Sequence, residues 1–301
     1  MFRASLLFMA LPLAATAEPG DFLRDIAQIA ALERLRIAAA TDEHDALTER
    51  LDAERPLVLA RLRGLDPDAA AALEAAGDPA AVIAAADAGQ AALEADGAAP
   101  APQRQAGVIA TLLLPEGGVA EAYEEGAEGE AEEWAVAHHG LARVRVLTDA
   151  LLADLPQEAG ATVTAALERL EAAIPATPPA YAQMLPGGEI EFETQVIGAT
   201  LLSATGAPGW PGADLPGTAD LVAEWVKAGC ADADAARGRE TIAIAAFWHE
   251  DALSGALSLF APAPQERIEA TFDAIAAEGP GPVACGALSQ ALAEARPMVG
   301  G

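Results

Sequence analysis

A chain of 301 residues with 46 acidic and only 17 basic side chains carries a formal charge of −29, which excludes the basic footprint that nucleic acids and anionic membranes require of a partner. The length suffices to bury a real core, in one large domain or two small ones. Alanine-rich composition with 4% aromatics favours helix, and the fold class read from it is mostly α: one or more helical bundles, with a short β element near 189–196 as the one exception the pattern permits.

The first residues address the chain to an export route. Arg3 precedes an apolar run, Leu6 to Ala14, and then Ala15-Thr16-Ala17 forms an A-x-A site, so residues 1–17 read as a signal peptide cleaved after Ala17. The localisation expected is periplasmic or secreted. An apolar span of about ten residues is too short to cross a bilayer, and no later segment reaches the roughly 18 apolar residues of a transmembrane helix.

Residues 18–98 read as an N-terminal helical region. Phe22, Ile26, Ile29, Ala30, Ile37, Leu47 and Leu51 recur at helical spacing, with a second helix expected near Thr41, where Asp42 and Glu43 would supply an acidic first turn. Further helices are expected at Pro56 to Leu65, Asp66 to Ala76 and Asp78 to Ala95, punctuated by Gly and Asp-Pro. Pro100 and Pro102 make 99–105 a candidate linker, followed by a C-terminal helical domain over 106–301.

The densest charge lies between Glu121 and Leu155. Read as one helix, this stretch places Glu121, Glu124, Glu125, Glu128 and Glu132 on one face and Val119, Tyr123, Ala127, Trp134, Ala137, Leu141 and Val144 on the other. His139 falls on the acidic face and His138 at the edge of the apolar one. Glu130 breaks the pattern by falling among apolar positions, where an unpaired carboxylate costs several kcal/mol; a break at Gly129 would remove that conflict, and Arg145 is one partner that would relieve it. Ala142 to Leu147 alternates as a strand would, although helix fits better.

Downstream, Ala159 to Ala173 reads as helix. Ile190, Phe192, Thr194 and Val196 alternate with polar residues, which suits a strand or the start of a helix. Trp210 sits on a Gly/Pro loop and reads as a cover over the core. Helices are expected at Thr218 to Lys227, Arg239 to Leu259, Pro264 to Ala277 and Pro282 to Ala295. Cys230 and Cys285 are the only cysteines, and in an oxidising compartment they are expected to form a disulfide, worth roughly 4 kcal/mol for a loop of about 55 residues.

Motifs that carry chemistry are absent. There is no H-E-x-x-H, EF-hand loop, C-x-x-C-H, G-x-S-x-G or S-x-x-K. His249 shares a helix face with Ile242, Ala245, Leu253 and Leu257, the position of a hydrogen-bonded core histidine. No cofactor is predicted. A divalent metal held by His138, His249, Glu130 and Glu250 is the alternative, although Glu130 and His138 would lie about 12 Å apart on a straight helix. The leading functional reading is therefore an exported helical binding or structural-interaction protein, its partner another protein or a small cationic ligand; a hydrolase with an unrecognised site is the third reading.

Overall fold

Pro19–Ala40 (α1) is a helix in which every residue from Asp25 to Ala39 is buried. Burial on every face marks an element enclosed by others, and in α1 it takes Asp25, Gln28, Glu33, Arg34 and Arg36 inside along with the apolar residues. Residues 19–41, 44–97, 100–113, 118–207, 215–232 and 235–299 are described in the computed structural model of the chain. Around α1 stand His44–Leu65 (α2), Pro79–Asp96 (α4), Ala101–Leu112 (α5) and Ala131–Leu151 (α7), each packed against it, while Pro67–Ala75 (α3) bridges α2 and α4.

The remaining helices come as partners consecutive in the chain. Val119–Glu128 (α6) pairs with α7, Gln157–Ala173 (α8) with Gly187–Thr205 (α9), Leu215–Ala231 (α10) with Ala235–His249 (α11), and Pro262–Glu278 (α13) with Pro282–Ala295 (α14). A turn of π-helix, Glu250–Ser254, joins α11 to Gly255–Phe260 (α12). One apolar cluster runs through the bundle from Phe22 to Ala295. No strand occurs among the described residues, and no helix among them is long and apolar enough to cross a membrane.

Helix ends follow local chemistry. Asp66 caps α3 by accepting from the amides of Asp68 and Ala69, and Asp78 caps α4 through Ala81, each followed by the proline that the first turn tolerates. Between α10 and α11 the backbones approach closely: a Cβ on Gly238 would stand 2.5 Å from the Gly229 carbonyl oxygen. Cys230 and Cys285 form a disulfide, 2.06 Å between sulfurs, that ties α10 to α14.

Three expectations change. Pro56 does not start a helix; α2 runs through it, held by a buried stripe of Leu47, Leu51, Glu54, Val58 and Leu62. Residues 142–147 are helical within α7, as expected, whereas 189–196, where the pattern also permits a short strand, are helical within α9. At the second, Ile190, Thr194, Ile197 and Leu201 are buried at helical spacing while Phe192 is 62% exposed. The long acidic helix is two helices. Gly129 takes φ 117°, a left-handed conformation open to glycine, and turns the chain so that α6 folds back on α7. The return is tight, for a Cβ on Gly126 would stand 2.7 Å from the Trp134 amide nitrogen. Trp210, Asp42, Glu43 and the signal segment 1–17 lie outside the described residues.

The buried charges of α1 decide which helices meet it. Glu33, fully buried, accepts two hydrogen bonds from Arg143 of α7, 2.6 and 2.8 Å, and also pairs with Arg36. Arg34 makes a bidentate pair with Glu54 of α2; Arg36 reaches Asp87 and Gln90 of α4; Asp25 receives Arg61 of α2. Removing one member of such a set leaves an uncompensated buried charge. Glu33→Ala is expected to lower the unfolding free energy by about 3 kcal/mol or more, against at most about 1 kcal/mol for Glu171→Ala, which breaks an exposed pair with Arg145, as read by urea denaturation.

Candidate functional site

A cleft of about 530 Å³ opens between α2, α11 and α13. Its floor is one face of α11 continued into the π-helical turn, where Arg239, Ile242, Ala243, Ala246 and Phe247 of α11 and Glu250 of the turn recur at helical spacing. From α13 come Phe272, Asp273, Ile275 and Ala276, and from α2 come Arg50, Glu54 and Leu57. The centre is thus apolar and the rim charged.

The α2 wall is fixed from behind. Glu54 is clamped by Arg34, at 2.5 and 2.9 Å, and Arg34 lies 5.3 Å from the centre of the Phe247 ring, a cation–π contact. Arg50 also faces Glu54, at 3.8 Å. The ion pair that seats α2 on α1 therefore also holds an aromatic of the cleft floor.

The opposite wall is fixed by a buried polar chain. Gln265 of α13 donates to Ser254 Oγ (3.0 Å) and Glu269 Oε1 (2.7 Å), which leaves its carbonyl oxygen to accept from His249 Nε2 at 2.9 Å. His249 Nε2 is then the protonated nitrogen of the neutral ring. Its imidazole packs on Phe272, 5.5 Å between centres, but does not itself line the cleft. Burial pushes the His249 pKa below the usual histidine value, opposed by the Gln265 hydrogen bond and the field of Glu269. Ser254 ends the π-helical turn, so this network spans the irregular part of the helix.

The four residues considered as metal ligands go to different places. His138 is half-buried, its Nδ1 3.0 Å from the Ile174 carbonyl oxygen, while His249 is engaged with Gln265. Glu130 is not buried beside Trp134. It is exposed at the N-cap of α7, because the break at Gly129 carries it out of the apolar face, and Arg145 pairs with Glu171 instead. Trp134 is buried against Tyr123 and donates to the Pro175 carbonyl. Glu250 stands at the cleft rim. Among the described residues no three His, Cys, Asp or Glu side chains come together in a group that could hold a metal ion.

What sequence reasoning missed is the cleft. Its one visible signal is that α11 carries two apolar stripes, one through His249 and the core and a second through Ala243 and Phe247. No protein-family model, characterised protein or solved structure matches the chain.

The His249 shift fixes a sign. Between the folded pKa and the ordinary value near 6.5, the unfolded chain binds more protons, so stability rises with pH across that window. This contribution is complete above about pH 6.5 and is lost as pH falls toward the folded value. His249→Gln is expected to flatten the slope of unfolding free energy between pH 7.5 and 5.5 relative to the parent, measured by urea denaturation at each pH.

Proposed function

We propose that the protein is an exported helical binding protein whose ligand occupies the cleft between α2, α11 and α13. The observation that carries this reading is the cleft: about 530 Å³ falls within the range of small-molecule sites, which are apolar with a few placed polar groups. Export is supported by Arg3, the apolar run and the Ala15-Thr16-Ala17 site, and by the Cys230–Cys285 disulfide, a bond that persists in oxidising compartments. Preorganisation adds to the case. Phe247 and Phe272 are each held from behind by a buried polar network, so a ligand meets walls that need little ordering.

The test is to fill the cleft. Ala246 lies half-buried on its floor, and Ala246→Trp would place an indole in the ligand's space. In a thermal-shift screen of small organic metabolites, at least one compound at about 100-fold its Kd should raise the parent's Tm by several degrees, the effect of about 2.7 kcal/mol of linkage. The shift should vanish in Ala246→Trp. A screen in which every stabilising compound acts equally on both proteins would refute the reading.

A further inference from the structure

The charged groups of the cleft differ in whether they already have partners. Arg34 and Arg50 both face Glu54, and Arg50 additionally acts on Glu125 and Glu133 of the α6–α7 hairpin. Arg239 stands at the C-terminal end of α13: one of its terminal nitrogens is 3.1 Å from where a Cβ on Gly279, the residue capping α13, would lie. The carbonyl end of a helix carries about half a negative charge, which partly offsets this exposed guanidinium, although no described side chain pairs with it. Glu250 and Asp273 have no such compensation. Both are exposed on the cleft lining, and neither makes a hydrogen bond or ion pair with any described residue.

The same lining carries aromatic and aliphatic side chains: Phe247, Phe272, Ile242 and Ile275. Ring faces attract cations by their quadrupole, and the floor of this cleft already uses one that way, in the Arg34–Phe247 contact. The whole-chain charge of −29 raises the local concentration of cations and repels anions. An apolar body with a positive head satisfies all of these features at once, whereas an anionic head would place a third negative charge beside Glu250 and Asp273.

We infer that the cleft binds a small organic cation, an ammonium ion on an apolar body, with its head at Glu250 and Asp273 and its body on Phe247, Phe272, Ile242 and Ile275. The inference rests on the cleft being the ligand site, and the experiment separates the two. Calorimetric titration of the full chain at low salt uses three probes with one apolar body: 4-phenylbutylammonium, 4-phenylbutanol and 4-phenylbutyrate. The ammonium is expected to bind at least tenfold tighter than the alcohol, with the carboxylate weakest. The Glu250→Gln/Asp273→Asn double variant, altered only at exposed side chains, should lose that preference while keeping the alcohol's affinity. Glu128→Gln/Glu132→Gln, which removes as much charge from the exposed face of the α6–α7 hairpin, should keep the preference and so separates local recognition from general attraction.

A preference below tenfold in the parent, a carboxylate that binds best, or an equal loss in both double variants overturns the cation class while leaving the cleft as the site. Failure of all three probes to bind overturns the inference, and binding unchanged in Ala246→Trp overturns the site and the inference together. The parent's preference decides the first question even if a variant is unstable.

Discussion

The bundle depends on burying charges inside α1. Glu33, Arg34 and Arg36 are consecutive or nearly so, and on a helix they point in different directions; each therefore recruits a different neighbour, Arg143 of α7, Glu54 of α2 and Asp87 of α4. Apolar surface alone would let alanine-rich helices slide and rotate, because small side chains interlock weakly. A buried ion pair gives little net stability compared with a well-packed apolar pair, yet it penalises every arrangement that leaves a partner unmatched. In a core with so many alanines and few aromatics, Glu33, Arg34 and Arg36 each add such a penalty to the packing around α1.

The same pairs reach outward. Arg34 is shared between Glu54 and the ring of Phe247, so the contact that orients α2 on α1 also orients α11 on α2. On the far side, Gln265 links α13 to the π-helical turn through Ser254 and to α11 through His249. The extra residue of a π-turn rotates the downstream helix relative to the upstream one. Here it lets Ser254 meet Gln265 while Glu250, four residues earlier, remains on the cleft side. The cleft's two walls are thus positioned by polar contacts that lie behind them.

How much of this was legible depends on the distance over which each feature is decided. Helix starts at Asp66-Pro67, Asp78-Pro79 and Pro282 are written in one to three residues and could be read directly. The alternation at 189–196 misleads because Ile190 and Thr194 suit both periods; Phe192 is the discriminating residue, and it points to solvent. Glu130 was ambiguous for a similar reason, since a wheel assumes a continuous helix and one glycine at positive φ invalidates it. The partners of α1 were not legible at all. Glu33 and Arg143 are separated by 110 residues, and nothing local says which of many arginines a glutamate meets. The cleft, assembled from α2, α11 and α13, belongs to the same class.

The acidic stretch that dominates the sequence acquires its meaning through Arg50. This half-buried arginine faces Glu54 on the cleft side, and its charge opposes the upward shift that burial and neighbouring glutamates impose on Glu125 and Glu133 in the α6–α7 hairpin. A guanidinium acted on by three carboxylates offers a ligand a weaker field than an isolated one. Had the hairpin been neutral, Arg50 would have presented a positive charge to the cleft and favoured an anionic head beside Glu54. The acidic stripe therefore weakens Arg50 as a partner for an anion, and among the exposed charges of the lining Glu250 and Asp273 outnumber Arg239.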